Sequence, residues 1–133
     1  MKKRHSIYVD GASHRAPIPA ACRIGSLLVT GVINGNDPAT GEFPDSLDEQ
    51  CRLLFAQVRA IVEAAGGATA DIIKMTVWLK DRNDKTALNR EWLAMFPDPE
   101  DRPARHTPPG ADLEGPRLIQ ADFMAVLGDG AQT

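Results

Sequence analysis

Residues 46–80 demand a helix and a strand in close succession. Ser46 and Glu49 supply the S-x-x-E pattern of a capping box. Leu47, Cys51, Leu54, Phe55, Val58, Ile61, Val62 and Ala65 then recur at helical spacing, and Gly66-Gly67 stops the run. Ile72 to Leu79 alternates instead, which predicts Ile73, Met75, Val77 and Leu79 on one face of a strand. Lys74, Thr76, Trp78 and then Lys80 fall on the other. A helix with one apolar stripe beside a strand with one apolar face is the ingredient of helices layered on a sheet.

The flanking segments extend this pattern. Ser6 to Val9 reads as a short strand and Gly11 to Ala20 as a loop punctuated by Pro17 and Pro19, which have no ladder donor. Cys22 to Ile24 and Leu27 to Ile33 read as strands meeting at Gly25-Ser26, followed by a turn-rich stretch to Pro44. A second helix is predicted from Asn83 or Asp84, carrying Leu88, Trp92, Leu93, Met95 and Phe96 and ending before Pro97. Leu118 to Leu127 reads as a long last strand. The order is β-β-β-α-β-α-β-β, an α+β arrangement in which a mixed sheet carries both helices on one face. The other face would then show Trp78, Met124 and Val126 beside Gln120 and Asp122, an arrangement suited to burial in an oligomer.

At 133 residues without an internal repeat or linker, residues 1–133 read as a single domain. The formal charge of −3 and a pI near 5.5 argue against a nucleic-acid partner. No apolar stretch approaches the ~20 residues that span a bilayer, and His5 and Asp10 interrupt any signal-peptide core. Cys22 and Cys51 have neither metal-ligand nor redox spacing, so reduced thiols in a cytoplasmic protein are expected.

For chemistry, the stretch Arg102-Pro103-Ala104-Arg105-His106-Thr107 stands out, because an arginine fork can grip a carboxylate through charge-assisted hydrogen bonds. Asp122, on a half-apolar strand face, needs either a basic partner or a role in handling water. His106 alternates away from Arg105 in an extended strand, which favours a packing or surface role. Distortion at Pro108-Pro109 would instead turn it into the cleft as a proton shuttle, and His14, in the loop beside Ile18, is the other candidate acid or base. No metal-ligand motif links these residues, and no cofactor is expected.

Several segments resemble the Rid (YjgF-like) family of reactive-intermediate deaminases. They are Gly25-Ser26-Leu27-Leu28-Val29-Thr30-Gly31, Asp37-Pro38-Ala39-Thr40-Gly41-Glu42, Ile61-Val62-Glu63-Ala64-Ala65-Gly66, Asn83-Asp84 with Asn89, and Pro103-Ala104-Arg105-His106-Thr107. The resemblance covers about Arg23 to Leu127. It implies a chorismate-mutase-like α+β fold, a homotrimer, and a ligand cleft at each subunit interface.

By that resemblance Arg105 binds a substrate carboxylate, while Thr107, the backbone near Gly31, and Asn89 line the cleft. Asp122 takes the place of a glutamate that positions water. Where deaminase-type members carry Gly-Pro-Tyr-Ser, this chain has Ala16-Pro17-Ile18-Pro19, so Ile18 occupies the tyrosine's place and cannot donate a hydrogen bond. Two functions follow as expectations. One is hydrolytic deamination of a small carboxylate-bearing imine or enamine to a keto acid and ammonia. The other is a non-catalytic trimeric module that binds small carboxylates.

Overall fold

A computed structural model describes residues 3–11 and 16–128. The elements are β1 (His5–Ile7), β2 (Ala21–Ile24), β3 (Leu27–Thr30), β4 (Ile33–Asn34), α1 (Leu47–Ala64), β5 (Ile72–Leu79), α2 (Thr86–Met95), β6 (Ala104–His106) and β7 (Ile119–Val126), with a 3-10 turn at Thr69–Asp71 before β5.

Helix α1 starts where the capping pattern places it: the Ser46 hydroxyl accepts from Glu49 N at 3.1 Å. The box closes only on that side, because the Glu49 carboxylate turns outward to a two-pronged pair with Arg52 at 2.8 and 3.1 Å. At the other end Gly67 N donates to Val62 O and Gly66 N to Glu63 O, with Gly66 at φ +91°. This is a Schellman stop, and its left-handed residue favours glycine. The stripe from Cys51 to Ala65 is buried as predicted, whereas Leu47 is only half-buried.

Seven strands among the described residues form one mixed sheet in the order β1-β2-β3-β7-β5-β6, with β4 also pairing β7. Every pairing is antiparallel except β5 with β6, which run parallel across the α2 crossover. Alternation along β7 divides the molecule. Ile119, Ala121, Phe123 and Ala125 are almost wholly buried, while Met124 and Val126 are 39% and 46% exposed. Opposite them Val29 and Leu27 of β3 are also open. Both helices therefore sit over one face, and the other presents the expected mixture of Trp78, Gln120, Asp122, Met124 and Val126.

Two irregularities correct the predicted strands. The run Leu27 to Ile33 is broken after Thr30. Between the pairs Val29↔Met124 and Ile33↔Ala121, Thr30-Gly31-Val32 stand opposite only Asp122-Phe123, a β-bulge. The Thr30 hydroxyl accepts from Phe123 N at 3.0 Å in the gap. In β5 the register shifts between Ile72 and Lys74, so Ile72 is buried and Ile73 is 47% exposed rather than sharing the face of Met75, Val77 and Leu79. Helix α2 also starts later than predicted, at Thr86. The Asp81 side chain accepts from Asn83 N, and its carbonyl accepts from Asp84 N, so these residues form a turn before the helix. Leu93 of that helix faces solvent.

Gln50 is fully buried, and its amide makes three hydrogen bonds. It donates to Pro44 O and Pro116 O at 2.8 and 2.9 Å and accepts from Leu118 N at 2.9 Å. These contacts pin the chain just before β7 to the first turn of α1. Gln50→Leu strands all three backbone groups away from water, at a cost of about 2–4 kcal/mol. Urea denaturation is expected to show a lower midpoint with an unchanged m-value.

Candidate functional site

Strand β6 carries Arg105 at the sheet edge, in register with Met75 of β5. Paired residues project to the same face, and Met75 is fully buried beneath the helices. The Arg105 guanidinium accordingly lies over Trp92 of α2, with Cζ 4.9 Å from the ring centroid. Trp92 is itself 9% exposed and meets Phe96 edge-on at 4.8 Å and 65°. Arg105 is half-buried, its Nη1 is buried without a hydrogen-bond partner, and no salt bridge to it forms among the described residues. Burial alone pulls the guanidinium below its ordinary pKa, yet an arginine keeps its charge.

The other face carries a different group. Thr76 lies between His106 of β6 and Asp122 of β7 in register, so these side chains form a cross-strand row on the bare side. Asp122 is half-buried; that burial pushes its carboxyl above the usual aspartate range, opposed by a hydrogen bond from Thr76 and the charge of Lys74. Gly31 sits in the bulge facing Asp122, exposed, with its N–H donating to Ala20 O at 2.9 Å.

Thr107 follows β6 and is half-buried; Asn89 is exposed on α2, three residues before Trp92. Ile18 is 46% exposed in the loop before β2. His14 lies outside the described residues. One chain therefore holds Arg105 on the helix side, and Asp122, His106 and Gly31 at the bare face. It does not bring Arg105 and Asp122 together.

Residues beyond the predicted set also belong to this surface. Gln120 shares the bare face with Asp122, two residues along β7, and donates from Nε2 to Asn34 Oδ1 at 3.0 Å. The pair lines a cleft of about 420 Å³ with Val32, Leu113, Glu114 and Arg117. The two-residue spacing from Asp122 is the sequence signal that identifies Gln120. Trp92 lies among the apolar residues expected for the second helix, and nothing in its local pattern reveals that it meets Arg105. Cys51 is buried, its thiol pushed up to about 12 by burial, which leaves it unreactive. Among the described residues no group of three or more His, Cys, Asp or Glu is placed to hold a metal ion, and no helix is long and apolar enough to cross a membrane.

Residues 14–126 match the family described as Endoribonuclease L-PSP. The chain belongs to this family, the YjgF/Rid family. A RutC family protein of Haemophilus influenzae is 41% identical over 80 residues, 60% of this chain and 62% of its own length. A 2-iminobutanoate/2-iminopropanoate deaminase of Escherichia coli is 40% identical over 73 residues, 55% of this chain and 57% of its own. The chain thus aligns with less than two thirds of either relative. The structure of the Escherichia coli YjgF gene product superposes with a TM-score of 0.82 at 32% identity, covering 92% of this chain and 98% of that one. Escherichia coli TdcF with bound serine gives 0.84 at 31%, covering 93% and 99%. The YjgF-like α+β fold is therefore shared over more than nine tenths of this Rid chain.

The raised carboxyl of Asp122 has a defined consequence for stability. A folded pKa above the unfolded one means that the folded state binds the proton more readily, so stability is lost as pH rises from the unfolded value, 3.8, through the raised folded one. Asp122→Asn removes that penalty. The variant is expected to gain stability over the parent at pH 7, by less than about 1 kcal/mol because the group is partly solvated. The gain should vanish near pH 3, and thermal unfolding of both proteins at the two pH values checks the sign.

Proposed function

We propose that this Rid chain hydrolyses a small carboxylate-bearing imine or enamine to the 2-keto acid and ammonia. The single observation that carries the reading is Arg105: a half-buried guanidinium with a buried Nη1 and, among the described residues, neither a hydrogen-bond partner for it nor a carboxylate beside it. A planar fork in that state suits a ligand carboxylate. The deaminase relative acts on 2-iminobutanoate and 2-iminopropanoate by name, and the serine bound to TdcF also carries an α-carboxylate. Turnover needs water to add at the imine carbon, a proton to reach nitrogen, and the C–N bond to break as ammonia leaves. Asp122, with its raised carboxyl, is the group we assign to orienting that water and passing the proton.

Arg105 and Asp122 lie on opposite faces of the sheet, so a site using both takes them from different copies. We propose a homotrimer in which the bare face, with exposed Leu27, Val29, Met124 and Val126, packs against its neighbours. Thr107, the backbone at Gly31, Asn89 and Ile18 then line the cleft, and His106, exposed in the same cross-strand row as Asp122, and His14 are further proton carriers. The free thiols of Cys22 and Cys51 suit a reducing, cytoplasmic setting. An RNA-cleaving reading draws no support from a formal charge of −3.

The test is ammonia release from freshly generated 2-iminopropanoate. The parent is expected to exceed the buffer rate, Arg105→Ala to lose at least about 100-fold in kcat/KM, and Asp122→Asn to lose mainly kcat. No release by the parent would overturn the deaminase. The exposed apolar Ile18, where deaminase-type members have a tyrosine donor, favours one second reading, a carboxylate-binding trimer. That reading predicts no turnover but a rise in Tm with pyruvate, by mass action. A monomer in sedimentation velocity would remove the shared cleft from both.

A further inference from the structure

We propose that Trp92 is the positioning residue for Arg105: its indole face holds the guanidinium in place without taking up its N–H donors, and so sets the affinity for a carboxylate. The proposal deepens the reading of Arg105 as the carboxylate anchor and rests on it.

An arginine at a sheet edge has several torsions to lose on binding a ligand, and holding it beforehand removes part of that cost. The usual holder is an acidic side chain. That would neutralise the cation and compete for the same N–H groups that a ligand carboxylate needs. Contact with an aromatic face works differently. The attraction comes from the ring quadrupole and requires no oxygen acceptor, so the donors remain available. The structure has the features this device requires: Cζ lies 4.9 Å from the Trp92 centroid, and Nη1 is buried without a partner.

The indole is fixed in turn. Phe96 lies four residues along, packs edge-on against it at 4.8 Å, and donates its backbone N–H to Trp92 O at 2.8 Å. Arg102, three residues before Arg105, donates from Nε to Phe96 O at 2.9 Å and from Nη2 to Pro97 O at 3.3 Å. It thereby satisfies carbonyls at the C-terminal end of α2. The two arginines of Arg102-Pro103-Ala104-Arg105 thus have complementary placements. Arg102 ties the segment leading into β6 to the end of α2, and this holds Trp92 and Arg105 in register with each other.

The experiment compares Trp92→Leu, Trp92→Phe and Arg105→Ala with the parent, reading pyruvate Kd by calorimetry and KM and kcat on 2-iminopropanoate. Trp92→Leu is expected to weaken pyruvate and raise KM about tenfold with kcat little changed, and Trp92→Phe to recover most of the loss because a ring face remains. In a Trp78→Phe background Trp92 is the sole indole of the chain. Its fluorescence should then titrate with pyruvate at the calorimetric Kd, and Arg105→Ala should abolish the response.

Leu and Phe variants impaired alike, in step with their loss of Tm, would reduce Trp92 to packing and overturn the proposal. An unchanged Kd in a folded Trp92→Leu would do the same. Should Trp92→Leu fail to fold, the fluorescence arm decides: an indole that does not respond while pyruvate binds overturns the proposal. If Arg105→Ala binds pyruvate as the parent does, or the parent binds none, the anchor reading itself fails and the proposal falls with it. Loss in Arg105→Ala with no effect at Trp92 sinks the positioning role alone.

Discussion

Strand β7 is the member on which the rest of the structure depends. It bonds to β3 and β4 along one edge and to β5 along the other, and its alternate residues face two different environments. Ile119, Ala121, Phe123 and Ala125 face the helix layer, with alanines at two of the four positions leaving room for α1 to approach. Gln120, Asp122, Met124 and Val126 face the bare side. A slip of one residue would exchange the sets, burying a carboxylate and exposing Phe123. The register is held from outside as well: Gln50 grips Leu118 N one residue before the strand begins, and Thr30 grips Phe123 N within it. Helix packing, the cleft beside Gln120 and the environment of Asp122 all follow from that one register.

What could be read from residues alone was whatever repeats. The α1 stripe, its Ser46 cap, its Gly66-Gly67 stop and the two-sided nature of β7 are periodic or local signals, and each appears in the fold at or near its predicted place. The bulges were not legible, because Ile72-Ile73 is apolar at both positions and Thr30-Gly31-Val32 continues a strand-like run without a break. Only the partner strand reveals the extra residue. Gln50 was legible in principle, since it lies three residues after Leu47 and four before Leu54 on the buried stripe, and a polar residue there signals a buried network. At the candidate site, the prominence of Arg105 came from its motif. Its contact with Trp92 joins a helix to a strand across the 97–103 segment, and no spacing rule encodes it.

The division of charge across the sheet says something about how such a site has to work. Arg105 and Asp122 in direct contact would neutralise each other, lowering the carboxyl pKa and occupying the donors of the fork. Held on opposite faces of one chain, each keeps the state that carboxylate chemistry would use: a cation with no acid partner among the described residues, and a carboxyl raised by burial. The aromatic contact at Arg105 follows the same logic, since it supplies order without supplying charge. In the proposed assembly the two groups would approach only where subunits meet, with the ligand's own carboxylate between the cation and the rest of the cleft. The bulge at Thr30-Gly31-Val32 lies opposite Asp122-Phe123, and there the Thr30 hydroxyl and the Gly31 N–H take up bonds outside the β3–β7 ladder. That irregularity stands beside Asp122, and the regular parts of the sheet hold the register that places it.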